Sequence, residues 1–153
     1  MTLLPDWAPN LHPLVVHFPI ALWIAAVVAD LAAVVFTTAA WADGAASFLY
    51  PAGAVSAAAA YLTGTRAAAT VLVPGMAFPI VQQHRTWALM TTIGFVLIAS
   101  VRAWASAKQP RLHGVARTVL LVAALAALVS LVQTGARGGR LVFERGVGVV
   151  PPR

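Results

Sequence analysis

His12 and His17 fall in the stretch HPLVVHFPI at residues 12–20, and His84 falls in QQHR at residues 82–85. Imidazole is the commonest metal ligand and titrates near neutral pH. Two histidines on different helices at similar depth are what bis-imidazole ligation of haem b requires. His17 and His84 are therefore the expected axial ligands, with His12 as the alternative ligand or a support for one. Arg85 and Arg145 are the candidates to pair with haem propionates, because guanidinium meets carboxylate through two parallel hydrogen bonds. Other chemistry stays open for the same histidines: an open zinc or copper site, a proton relay, or, for His17, a structural bond to a carbonyl freed by Pro19.

Several chemistries are excluded. The chain has no cysteine, so it forms no disulfide, no thiolate iron–sulfur site, no covalent c-type haem and no cysteine zinc site. The three histidines match no compact metal motif, and no serine, histidine and carboxylate constellation suggests a hydrolase. The glycines near the C-terminus match neither a phosphate-binding loop nor a dinucleotide fingerprint. Met76 is a possible sulfur ligand but reads more simply as packing.

The elements that must position these residues are membrane spans. The 153 residues are 61% hydrophobic and only 9% charged, with a mean hydropathy of +0.87. A soluble domain carries roughly 25% charged residues. The net charge of +6 is no nucleic-acid footprint, because its Lys and Arg residues sit singly at the ends of apolar runs and in the tail. That is where membrane proteins place cations, at headgroup level. The first thirteen residues contain no Lys or Arg, so no cleavable signal peptide is expected.

Met1–Pro13 forms a lead-in with Asp6, Trp7 and Pro9. Residues 14–36 then form the first span, long enough to cross a hydrocarbon core of roughly 30 Å. Pro13 suits a first helical position, and Pro19 predicts a kink close to His17. Ile20, Ala21 and Ile24 are read as an apolar stripe that turns His17 towards a dry interior. A turn at residues 40–45 leads to the second span, 48–65. Its Gly53, Ala54, Ala57, Ala60 and Gly64 let helix backbones approach closely, or make room for a flat cofactor.

Residues 67–83, broken by Pro74-Gly75 and Pro79, are expected to lie on the membrane surface as a lid. The third span, 86–104, carries Trp87 and Trp104 at interface level. A basic loop with Lys108, Pro110, Arg111 and His113 leads to the fourth span, 115–134. The tail, 135–153, opens with glycines that suit a helix C-cap and continues as a short extended or folded-back segment. The fold class is all-α integral membrane: one domain, an antiparallel bundle of four transmembrane helices.

In this topology the N-terminus, lid and tail share one end, which gathers His12, His17, His84, Arg85 and Glu144. Asp30 lies thirteen residues beyond His17, roughly 20 Å deeper at helical rise. It is expected to pair with Arg102 or Arg117 rather than to join the histidines. Positive charge does not orient the bundle: the histidine end carries six Lys/Arg and the other four.

The motif HPLVVHFPIAL with Asp30-Leu31 after it, QQHR before the third span and GGRLVFERGVGV after the fourth resembles a known family. These are the bacterial predicted membrane proteins catalogued as domain of unknown function 2231, and the resemblance covers nearly the whole chain. Relatives occur fused to Rieske iron–sulfur domains or c-type cytochrome domains, which implies a redox role. Two positions depart from the family pattern. Arg145 stands where members often have a histidine, and Arg66-Ala67 stand where many carry an acidic residue.

The expected protein is thus a haem-b-binding electron carrier of the bacterial inner membrane. It would pass electrons between quinol, or a membrane redox partner, and an extracytoplasmic Rieske-type or c-type cytochrome partner. The end carrying His12, His17 and His84 is expected to be extracytoplasmic. The rival readings are an anchoring or assembly subunit of a redox complex, and a metal-binding or transport protein.

Overall fold

The computed structural model describes residues 10–36, 38–108, 112 and 114–149. Most of the lead-in, with Asp6, Trp7 and Pro9, and the loop residues Pro110, Arg111 and His113 lie outside the described residues. The helices are α1 (His12–Val15), α2 (His17–Val35), α3 (Ala40–Thr70), α4 (Phe78–Lys108) and α5 (Gly114–Phe143), with a 3-10 turn at Gly75–Ala77 before α4. Together α1 and α2 make the first of four segments long and apolar enough to cross a membrane. Each segment packs antiparallel against the next, giving the expected four-helix membrane bundle.

Proline explains the break between α1 and α2. Pro19 has no N–H to give the Val15 carbonyl, and its ring crowds that carbonyl. The helix pauses at Val16 and restarts at His17. At the other end of α1 the Asn10 side chain accepts a 3.0 Å hydrogen bond from the His12 backbone N–H, satisfying a donor that a helix start leaves open.

Three helix limits differ from the hydropathy-based expectation. Residues 40–45 are the helical start of α3 rather than a turn, with Asp43 in its first turn, where the helix dipole favours an anion. The lid contracts to about residues 71–77. Pro79 falls at the second residue of α4, where its missing N–H costs little. Gly135, Gly138 and Gly139 lie inside α5 instead of capping it, and the chain turns only at Gly146, with φ 62°. A 31-residue helix such as α4 extends roughly 46 Å at helical rise. Hydropathy marks the hydrocarbon core of about 30 Å, so the helices outrun the apolar windows.

Aromatic residues fill the bundle centre. Trp23 is fully buried, stacks on Phe95 with centroids 3.5 Å apart, and meets Tyr50 edge-on at 5.0 Å. Its indole N–H donates to the Ala124 carbonyl at 3.2 Å. The small residues of α3 serve this packing: a Cβ on Gly53 would stand 3.2 Å from the Trp23 ring. Outward faces carry Val55, Leu97 and Val132, all exposed, as surfaces in contact with lipid require.

A buried ionic cluster ties all four segments near the end opposite the histidines. Asp30 of α2 accepts from Arg102 of α4 at 3.3 Å and from Arg117 of α5 at 2.9 Å. Asp43 of α3 accepts from Arg102 at 2.7 Å, and its carboxylate lies 3.3 Å from the Arg117 guanidinium. The Tyr50 hydroxyl donates to the second Asp30 oxygen at 3.3 Å, and Ser47 accepts from Arg102 at 3.2 Å. Two carboxylates and two guanidiniums balance in charge, which is what allows them to be buried. The depth argument for Asp30 thus identified its partners, and both arginines serve.

Candidate functional site

The structure separates the three histidines. His17 is exposed, and its Nδ1 lies 3.4 Å from the Leu14 carbonyl. It occupies one outward line of α2 with Ile24, Val28, Leu31 and Val35, each of them exposed. The buried line of that helix is Pro19, Trp23, Ala26, Asp30 and Ala33. Ile20 and Ile24 therefore face outward, and the expected inward orientation of His17 is corrected. The reason is that a helix between lipid and an apolar core is apolar on both sides, so an apolar stripe does not identify the inner face.

His12 on α1 and His84 on α4 lie at the same end of the bundle, each partly buried. His84 Nδ1 lies 3.0 Å from the Thr134 carbonyl of α5. A carbonyl only accepts, so Nδ1 carries the proton and Nε2 carries the lone pair. For His12, Nδ1 lies 3.3 Å from the Thr63 hydroxyl, whose own proton goes to the Ala60 carbonyl at 3.0 Å. The Thr63 hydroxyl thus stands between His12 Nδ1 and the Ala60 carbonyl. Among the described residues, neither Nε2 is engaged in a hydrogen bond.

Each ring rests against a glycine. A Cβ on Gly64 of α3 would stand 2.9 Å from His12 Cε1, and one on Gly138 of α5 would stand 3.2 Å from His84 Cε1. Beneath His84, the hydroxyls of Thr91, Ser130 and Thr134 form a cluster with separations of 2.7 and 3.0 Å. Beside it, the Arg137 guanidinium lies 4.9 Å from the centre of the Trp87 ring and donates to the Gln133 side chain at 2.6 Å.

A family described as "Predicted membrane protein (DUF2231)" matches residues 8–151. The chain belongs to the DUF2231 family. No curated protein and no solved structure shows a match. The DUF2231 match spans every helix and both imidazoles of the pair, and the chain is accordingly a membrane protein in contact with the lipid bilayer.

The remaining sequence candidates take separate positions. Arg85 is exposed beside His84, and Met76 is exposed on the 3-10 turn. Arg145 lies half-buried at the end of α5, its Nε buried without a protein partner. The residues that sequence reasoning missed are Thr63, Thr134, Arg137 and Gly138, while Gly64 was singled out as a small residue but not as the seat of His12. A faint signal was present for Arg137: Gln133 stands one helical turn before it, a spacing at which side chains meet. Gly138 gave none, because it was read as part of a glycine-rich helix end.

Proposed function

We propose that His12 and His84 are the axial pair of a haem b site, and that the protein is an electron carrier of the bacterial inner membrane. The observation that supports this is the placement of two partly buried imidazoles at one end of the bundle, with His84 Nδ1–H committed to the Thr134 carbonyl and its Nε2 left with the lone pair. Metal-binding histidines commonly donate their second nitrogen to a backbone carbonyl or similar acceptor, which fixes ring orientation. The glycine notches fit the same role, since each holds its ring where a side chain would displace it.

Among the described residues no group of three or more His, Cys, Asp or Glu side chains gathers as a bare-ion cage does. Two imidazoles are the number that bis-histidine haem takes. When bound, haem b supplies a one-electron ferric/ferrous couple. The chain's own contribution is to hold the imidazoles and exclude water, in surroundings whose low dielectric strengthens nearby charges. Quinol, or a membrane redox partner, is the proposed electron source. The acceptor is an extracytoplasmic Rieske-type or c-type cytochrome at the histidine end.

The test is a dithionite-reduced minus oxidised visible spectrum of the detergent-purified protein and its His12→Ala, His84→Ala and His17→Ala variants. Sharp α and Soret bands are expected in the native protein and in His17→Ala, and their loss in the other two. A colourless native protein from haem-replete cells overturns the reading.

A further inference from the structure

Buried donors without partners are rare, and each calls for an explanation. Arg137 has one: its Nε is buried and has no hydrogen-bond acceptor. The rest of the side chain is held firmly. Nη1 donates to both the backbone carbonyl and the side-chain oxygen of Gln133, at 3.0 and 2.6 Å, while the guanidinium lies over Trp87. The edge formed by Nε and Nη2 makes no hydrogen bond among the described residues. Two parallel N–H groups on one guanidinium edge match the two oxygens of a carboxylate.

The position gives this edge its meaning. Arg137 lies three residues beyond Thr134, whose carbonyl holds His84, and next to Gly138, on which that ring rests. Arg117 and Arg145 also have a buried unpartnered Nε. Arg117, however, spends Nη2 on Asp30 and Asp43 and donates Nη1 to the Leu112 carbonyl, and Arg145 lies eight residues further along the chain from Arg137. Of the three, Arg137 is the one whose unpaired Nε/Nη2 edge stands on the helical turn that seats His84.

We propose that Arg137 anchors a carboxylate of the ligand held by His12 and His84, with Gln133 and Trp87 keeping its Nε/Nη2 edge turned to that carboxylate. This rests on the haem reading and names its propionate as the group bound. It also gives the role expected of Arg85 and Arg145 to a residue that the helix itself preorganises.

The experiment titrates detergent-purified apoprotein with haem b and, separately, with haem dimethyl ester, whose propionates carry no charge. The native protein is compared with Arg137→Gln, Arg137→Lys and, as a control one turn away, Arg140→Gln. Native protein is expected to bind haem at least tenfold more tightly than the ester. Arg137→Gln should lose that tenfold preference while its affinity for the ester stays unchanged, Arg137→Lys should retain part of it, and Arg140→Gln should behave as native. Equal native affinities for haem and ester overturn the anchor while leaving the haem site in place. So does an equal loss of both ligands in Arg137→Gln and Arg137→Lys. Absence of binding by native protein to either ligand overturns the haem reading, and the anchor with it.

Discussion

Gly64 lies so close to His12 that a Cβ at that position would stand 2.9 Å from the imidazole Cε1 and 3.2 Å from Nδ1. The ring cannot yield freely, because Nδ1 is bonded to Thr63 on the same helix. Gly64→Ala should therefore push His12 out of its notch. Inserting a methyl into a packed site costs roughly 1–3 kcal/mol, against roughly 1 kcal/mol gained from better helix propensity. Gly94→Ala supplies the contrast: it lies mid-helix with nothing within 4 Å, so only the propensity gain applies. Thermal unfolding in detergent should show Gly94→Ala more stable than native and Gly64→Ala less so. If the two variants shift together, the tight seat of His12 is refuted.

The ionic cluster gives the second prediction. Asp30→Asn leaves Arg102 and Arg117 with one carboxylate between them in a buried site. Breaking a buried pair from one side typically costs about 3–5 kcal/mol. Arg117→Gln alone should also destabilise, but the Asp30→Asn/Arg117→Gln double variant should lose clearly less than the sum, because it removes both halves of one interaction. Denaturant titration of the four proteins measures the coupling. Additive losses would show that the arginine is solvated in the membrane-embedded protein.

These two regions also mark how far the sequence could be read. Four spans were legible because each apolar run is long, and the partners of Asp30 were legible because depth follows from helical rise. The orientation of His17 was not. On α2 the lipid-facing line of Ile24, Val28 and Leu31 and the core-facing line of Trp23, Ala26 and Ala33 are equally apolar, so periodicity carries no sign of which side is inside. His12, seated against Gly64, precedes the break at Val16, which a kink from Pro19 suggests but does not aim. Arg137 was only faintly legible for another reason: helix α5 continues through glycines at 135, 138 and 139 that resemble a stop signal.

The aromatic core yields a third expectation. Trp23 contacts Phe95, Tyr50 and Gly53 and donates to Ala124, so it links α2 to each of the other long helices. Trp23→Ala should cost about 3–5 kcal/mol through the cavity it leaves. Tyr50→Phe keeps the ring contact and removes only the bond to Asp30, and interhelical hydrogen bonds in membranes average about 0.6 kcal/mol. A Tyr50→Phe loss as large as that of Trp23→Ala in the same unfolding assay would mean that the hydroxyl, not the ring packing, holds this part of the bundle.

The end of α5 gives the last prediction. Gly146 adopts φ 62°, donates to the Val142 carbonyl at 3.1 Å, and lets the Val147 N–H reach the Leu141 carbonyl at 2.9 Å. This left-handed glycine termination turns Val147 back onto a small apolar cluster of Ala77, Ile80 and Leu141. The tail thereby covers the start of α4, two turns before His84. An L side chain in the left-handed region costs roughly 1–2 kcal/mol, enough to undock a segment held by so small a cluster. Gly146→Ala should therefore speed proteolytic trimming of the tail severalfold while leaving the unfolding temperature of the bundle nearly unchanged. Equal trimming rates in native and variant protein would show that the turn at Gly146 does not hold the tail in place.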